Sequence, residues 1–503
     1  MSDVTRRAIL GAAAAAPIAF GRETRAQSAS TLDIGVVSDP VTLDPAFSAS
    51  FFETQVLYNL HETLLIAQPD GSVVPGLANV TMPDSLTYVL TLRDGLTFHD
   101  GTKIDAAAVK ANIDRMMDPA TGSIRKPEFG PLESVTVTDT LRVTLKLSQP
   151  YSPLPLALTN RAGMMVSPTA VQRLGADFAT QAVGAGPWKY VSWTKNSQLV
   201  LEAFPGYWQG AKQPFQRLVY HPLPDETVRL ANLRSGTLQL IDSVPPQAVA
   251  TVDKDTALRM SQMPSLGFNA FAFNCTRGPF ADKRVRQAFV AVTDPAVVQQ
   301  VVYFGTGRVA HGPLSSAVAW AFDPDAIGIT HDPAHAKSLL AAAGVASPVP
   351  VAITVTNSPQ QVRIAQILQA QAGQAGFRVE VKQIDPTSLI TVLRQRDFDL
   401  CMAPWSGRYD PDGNMFNYFT KGGANNFAGW DSAEATELLT KARSISDQAA
   451  RATLYHRAQA LVIDEAPMLF LHFDAILQAS AAKLSWTQYP DAVFRLFNST
   501  MRP

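Results

Sequence analysis

The chain has 503 residues, 46% hydrophobic and 17% charged, with a formal net charge of -1 and a sequence pI near 6.7. That length exceeds one hydrophobic core and points to two or three globular units, while the composition excludes a disordered or fibrous protein. The near-neutral balance leaves no basic field for a phosphate backbone, and basic runs do not exceed pairs such as Lys283-Arg284, so no nucleic-acid partner is expected.

Residues 1-26 read as a twin-arginine signal peptide. Thr5-Arg6-Arg7-Ala8-Ile9-Leu10 leads into the weakly apolar Gly11 to Phe20, and Thr24-Arg25-Ala26 offers a small-residue cleavage site before Gln27. The apolar stretch is about half of the ~20 residues that span a bilayer, so a protein exported to the periplasm and not inserted in the membrane is expected. No cysteine follows the cleavage region to carry a lipid anchor. Cys275 and Cys401 lie in apolar runs and read as buried thiols; two cysteines alone make no structural zinc site.

From Leu32 the pattern is mixed. Tyr88 to Leu92 alternates, Asp94-Gly95 supplies a turn, and Leu96 and Phe98 resume the alternation; Val135 to Val137 and Leu141 to Leu147 repeat the scheme around Asp139-Thr140. Both read as β-hairpins. Asp105 caps a helix with Val109, Ile113 and Met116 on one face, ended by Pro119. Near Pro264-Ser265-Leu266-Gly267 the character changes: an extended apolar strand, Phe268 to Asn274, leads into an Asp282-capped helix. Val351 to Val355, the helical pattern of Pro359 to Ala375, and Phe377-Val379-Val381 form a strand-helix-strand crossover, the unit of a parallel sheet. A further helix runs from the Asp447 cap to Pro467 and precedes a last apolar strand, Met468 to Phe473.

Between these, the buried run Phe398 to Ala403 ends in Trp405-Ser406-Gly407-Arg408-Tyr409-Asp410-Pro411-Asp412-Gly413. An aromatic, a guanidinium and two carboxylates share one stiffened loop at a strand end, where α/β proteins hold ligands; the alternative is a surface turn with a satisfied Asp.

Several segments together resemble the extracytoplasmic solute-binding proteins of peptide, nickel and opine ABC importers, solute-binding protein family 5. They are Leu43-Asp44-Pro45 with Glu62 to Leu65, Phe98-His99-Asp100-Gly101, Gly184-Ala185-Gly186-Pro187-Trp188, Tyr207-Trp208-Gln209-Gly210, and Leu233-Arg234-Ser235-Gly236. Phe273-Asn274, Pro279 to Ala288, Leu454-Tyr455 and Glu465-Ala466-Pro467 complete the set. Each is weak alone; their order and spacing are specific. The resemblance implies an α/β, two-lobed periplasmic binding protein of the type II-like, large peptide-binding class, with an extra subdomain and an interlobe ligand cleft. It places lobe I at 31-265 with a subdomain at about 60-180, lobe II at 266-475, and a return to lobe I at 476-503. It implies a monomer that binds a small peptide-like or acidic solute, an oligopeptide or an opine-like or glutathione-like molecule, in a closing cleft and delivers it to an inner-membrane ABC permease, with no cofactor and no catalysis.

In the peptide-binding relatives a loop that begins with Trp carries, three residues on, an aspartate for the peptide's α-amino group. Trp405 and Ser406 match, and the aspartate position is Arg408. A guanidinium repels an ammonium and forks onto a carboxylate or phosphate, so the departure points to an acidic ligand group. Asp410 or Asp412 is a candidate replacement for the lost carboxylate, although Asp410-Pro411 and Asp412-Gly413 also read as turn chemistry. Arg161 matches by position an arginine that clamps ligand carboxylates in nickel-type relatives, with a structural ion pair as its alternative. Phe51, Phe268 and Asn269 are the remaining expected cleft residues.

An exported hydrolase is the competing reading. No Gly-x-Ser-x-Gly elbow, His-Glu-x-x-His helix or recognisable Cys-His pair supports it, and Pro333 spoils His331 and His335 as a helical ligand pair. Metal-chelate binding is a third reading; Asp410 to Asn414 lacks the spacing of a calcium loop.

Overall fold

The computed structural model describes residues 31–210 and 213–502, so the expected signal segment at 1-26 lies outside the described residues. A seven-stranded sheet carries, from edge to edge, Leu258–Pro264, Ala475–Ala481, Leu240–Ile241, Thr31–Val36, Arg217–Pro222, Gln198–Ala203 and Trp188–Thr194. Its centre is parallel, since Thr31–Val36 pairs in that sense with both neighbours. Leu32, Ile34 and Val36 pack with Trp188, Leu199 and Tyr220 on one face, while Ile241 joins Leu230, Leu233 and Leu238 on the other.

A four-stranded antiparallel sheet, ordered Ala78–Asp84, Thr87–Leu92, Arg142–Leu147, Leu132–Asp139, has its own core with the helix Ala106–Met117. Asp105 caps that helix through the Ala108 N–H at 2.9 Å, and the Leu132–Asp139 and Arg142–Leu147 hairpin is as expected. The hairpin expected at Asp94-Gly95 is absent. Thr87–Leu92 pairs instead with Ala78–Asp84 and Arg142–Leu147, and Leu96 and Phe98 are buried in a loop. Alternation reports a half-buried chain, but only a free strand edge turns it into a ladder, and both edges of Thr87–Leu92 are taken.

The six-stranded sheet is ordered Arg308–Val309, Met468–Phe473, Asn269–Phe273, Leu400–Met402, Val349–Thr356, Phe377–Ile384. The expected crossover is present: Val349–Thr356 and Phe377–Ile384 are parallel and joined by the helix Pro359–Gly373. Edge-on contacts among Phe273, Phe280, Phe289 and Phe377 fill the core behind it. Cys275 and Cys401 are free thiols, and burial pushes them up to about 11 and about 12.

The chain passes between the two large sheets twice. Leu258–Pro264 continues through residues 265-268 into Asn269–Phe273, and Met468–Phe473 continues through Asp474 into Ala475–Ala481. The two crossings are tied together, because Ser265 N–H donates to the Asp474 carbonyl at 2.9 Å and Asn269 Nδ2 to Asp474 Oδ1 at 2.8 Å.

The Gly184-Ala185-Gly186 run packs backbone against backbone; a Cβ on Gly186 would lie 2.6 Å from the Leu60 carbonyl carbon. His99 locks it. Its Nδ1 accepts from Gly184 N–H at 3.3 Å and its Nε2 lies 2.9 Å from the Gly186 carbonyl, which makes the ring a neutral imidazole with its proton on Nε2. Burial holds His99 down to about 3 and His61 to about 4. Below the ordinary imidazole value the unfolded chain therefore takes up protons that the folded chain refuses, and stability is lost as pH falls from about 6.5 toward the folded values. Urea midpoints should drop between about pH 7 and about pH 5, with a smaller drop for His99→Gln. An identical drop in the variant would remove His99 as a cause.

Candidate functional site

The strand Leu400–Met402 delivers the chain to Trp405 beside the first interlobe crossing. Phe268 N–H donates to the Trp405 carbonyl and Trp405 N–H to the Phe268 carbonyl, both at 2.9 Å, in an isolated antiparallel bridge. The approach admits no side chain: a Cβ on Gly267 would lie 1.9 Å from the Trp405 oxygen, and one on Gly407 would lie 2.1 Å from the Leu266 carbonyl carbon. Gly407 also takes φ +81°, where L side chains are strained.

Asn414, in the following helix Asp412–Phe419, organises the loop from inside. Its Oδ1 accepts from Trp405 Nε1 at 2.9 Å and from Arg408 N–H at 2.8 Å, and its Nδ2 donates to the Arg408 carbonyl at 2.8 Å. The two carboxylates point inward. Asp410 is buried and ion-paired with Arg451 at 2.7 Å, and Asp412 is buried and paired with Arg443 at 2.7 Å. Burial raises Asp412 above the usual carboxylate range, with Arg443 opposing the rise.

Two expectations, Asp410 and Phe268, are corrected by this geometry, and Asn269 stays at the crossings. Asp410 does not offer an ammonium acceptor to the cleft, because Arg451 already holds it in the interior. Phe268 is 2% exposed and packs edge-on against Tyr418 and Phe470, so only its backbone reaches the loop. Asn269 turns to Asp474 and lines a cavity of about 320 Å³ at the crossings, with Asp242, Tyr303 and His472.

The remaining candidates fall into two local groups, Trp405 with Ser406 and Arg408, and Arg161 with the Ser50-Phe51 turn. Arg408 lays its guanidinium over the Trp405 ring, 4.5 Å from the centroid, and donates to the Gly407 carbonyl at 2.7 Å and to Ser406 Oγ at 3.4 Å. It makes no ion pair among the described residues, and burial holds it below the usual guanidinium range. Arg161 is buried; its Nη1 donates to the Ser50 carbonyl at 3.1 Å and its buried Nε has no partner. No carboxylate of a described residue ion-pairs with it, so of its two readings the structural ion pair is not the one seen. Phe51 follows Ser50, is 36% exposed, and meets Phe52 edge-on.

The sequence pattern of the bacterial extracellular solute-binding proteins, family 5, middle, matches residues 72–427. The chain belongs to this family. It is 27% identical over 481 residues to the glutathione-binding protein GsiB of Pectobacterium atrosepticum, covering 92% of each chain. Its fold is that of HbpA2 from Haemophilus parasuis, with TM-score 0.86, 23% identity and coverage of 94% and 100%. DppA from Helicobacter pylori in complex with the peptide STSA gives 0.81, 22%, 94% and 98%. As a family 5 protein the chain is the substrate-binding component of an ABC importer, and among the described residues no helix is long and apolar enough to cross a membrane.

Within this family 5 chain the sequence reading missed two buried polar groups, Arg125 and Tyr409. Arg125, beside the short turn Lys126–Phe129, is buried, pairs with Glu128, and feels both Arg161 and Arg408. Tyr409 carries a buried hydroxyl without a partner, pushed up by burial and by Asp491. Neither stands in a periodic pattern, so no spacing marks it. Asn414→Ala should cost about 2 to 4 kcal/mol in urea unfolding, because it leaves the Trp405 Nε1–H and the Arg408 N–H unpaired. A loss below about 0.5 kcal/mol would show that the loop keeps its shape without Asn414.

Proposed function

We propose that the mature protein captures a small acidic, peptide-like solute in the periplasm and presents it to its permease, with Arg408, Trp405, Ser406, Arg161 and Phe51 as ligand contacts. The observation that carries this reading is the pair of guanidiniums, Arg408 and Arg161, that have no carboxylate among the described residues. An unpaired guanidinium out of water is unfavourable until an anion reaches it, and a carboxylate does so with two parallel bonds. The relative named for glutathione makes that tripeptide the first solute to try. The units 31-265, 266-475 and 476-503 move about the two crossings as the cleft closes.

Solutes released from the purified protein and identified by mass spectrometry give the ligand, and calorimetry then measures it. Arg408→Ala should weaken binding by about 2 to 5 kcal/mol, since the ligand's acid would be buried without a partner. Arg408→Asp should weaken it further while admitting peptides with a free α-amino group. Equal affinity across wild type and both variants would make Arg408 a bystander.

Export by the twin-arginine route rests on Arg6-Arg7 ahead of the weakly apolar segment. Replacing both by lysine should trap precursor in the cytoplasm. Normal periplasmic yield from that variant would point to another route.

A further inference from the structure

We propose that the two lobes are latched by a helix cap made across the cleft, with Ser152 closing the end of the helix Ala433–Ser444, and that Arg443 is the positioning residue that ties this latch to the Trp405 loop. The inference goes beyond the acidic-solute reading and does not depend on it, because the latch needs no group from the solute.

The last carbonyls of an α-helix have no partner inside the helix and must find one outside. At the end of Ala433–Ser444 two of them are satisfied by different means. Arg451, on the neighbouring helix Gln448–Glu465, donates from Nε to the Ala442 carbonyl at 3.0 Å. The Arg443 carbonyl accepts instead from Ser152, 291 residues away in the chain, from its N–H at 2.8 Å and its hydroxyl at 3.1 Å.

Ser152 belongs to the opposite lobe. It follows the strand Arg142–Leu147, and its neighbour Tyr151 is buried in the core of the four-stranded sheet, where the Tyr151 carbonyl accepts from the Tyr88 hydroxyl at 2.9 Å. The helix Ala433–Ser444 buries Ala435, Leu438, Leu439 and Ala442 with Phe470 of the six-stranded sheet. Among the described residues, the two bonds from Ser152 are the hydrogen bonds that join the lobes away from the crossings. Parting the lobes takes both donors from the Arg443 carbonyl at once.

The Arg443 side chain carries the contact into the ligand loop. Its Nε and Nη2 fork onto Asp412 at 3.0 and 2.7 Å, and its guanidinium packs on two rings, 3.4 Å from the Phe416 centroid in its own lobe and 5.2 Å from the Tyr151 centroid in the other. A planar guanidinium serves a bidentate carboxylate and aromatic faces together, which the point charge of a lysine does not. Asp412 opens the helix Asp412–Phe419, and Asn414 on that helix holds Trp405 Nε1 and both backbone groups of Arg408. An unbroken set of contacts thus runs from Ser152 and Tyr151 through Arg443, Asp412 and Asn414 to Trp405 and Arg408. Since the protein's own groups make the latch, the ligand-free chain populates the closed form, and apparent affinity for a solute follows that population.

The test uses the ligand-free mature chain, with Ser152→Ala to remove the hydroxyl donor and Ser152→Thr to keep it. In hydrogen exchange read by mass spectrometry, Ser152→Ala should speed the amides of residues 405-415 by about fivefold, the weight of one net hydrogen bond, while Ser152→Thr matches wild type. Small-angle scattering should give Ser152→Ala the larger radius of gyration. Arg443→Lys keeps the backbone carbonyl and loses the fork, so it should speed residues 405-415 and leave the radius of gyration at the wild-type value. Exchange that quickens in Ser152→Ala only around residues 148-156 makes Ser152 a structural residue of its own lobe and overturns the latch. Equal scattering from wild type and Ser152→Ala overturns it as well, and wild-type exchange at 405-415 in Arg443→Lys overturns the role of Arg443. None of these readouts involves a solute, so they hold or fail separately from the acidic-solute reading.

Discussion

The contact on which the site depends is the crossing of two backbones at Gly267 and Gly407. With no side chain between them, the Trp405 loop bonds directly to the strand that joins the two large sheets, through the Phe268 and Trp405 amides and carbonyls. The loop that carries the candidate ligand contacts is therefore fixed to the place where the interlobe angle is set. The second crossing is bonded to the first through Ser265, Asn269 and Asp474. A displacement of Trp405 would therefore be felt directly at the crossing, through two backbone hydrogen bonds.

Charge is sorted by where it is paired. Asp410 and Asp412 lie buried under the loop and are matched by Arg451 and Arg443, whose bonds anchor the loop in the interior. Breaking either pair would strand a buried charge, which costs far more than the pair contributes. Arg408 and Arg161 form no ion pair among the described residues; Arg408 bonds to the Gly407 carbonyl and Arg161 to the Ser50 carbonyl. The same residue types thus stand in two conditions: Arg451 and Arg443 are paired and hold the scaffold, while Arg408 and Arg161 have no ion-pair partner among the described residues.

Rigidity on the lobe I side has a different origin. Ser50 and Glu53 form a capping box at the start of the helix Phe51–Leu60, and that cap places the Ser50 carbonyl under Arg161 and turns Phe51 outward. Helix start and aromatic exposure are one local arrangement encoded in residues 50-53, and Arg161 reaches it from 111 residues away.

Much of the architecture was legible in the chain because local rules decide it. The Asp105, Asp282 and Asp447 caps, the crossover from Val349 to Ile384 and the two free thiols, Cys401 buried and Cys275 half-buried, follow from periodicity and end signals that act within a turn or two. The Trp405 loop and its Arg408 departure were legible because motif order carries them. What the sequence could not settle is direction and partnership across distance. Asp410 and Arg408 stand two residues apart in one loop, yet one pairs inward with Arg451 and the other stays without a carboxylate, and only packing against a helix some forty residues on decides which. Phe268 went to the core and Asn269 to the crossing for the same reason, since strand alternation says that neighbours face opposite ways and not which way holds the ligand. Arg125 and Arg161 are buried with Nε atoms that find no partner among the described residues, and no spacing records this because it follows from packing among segments far apart in the chain.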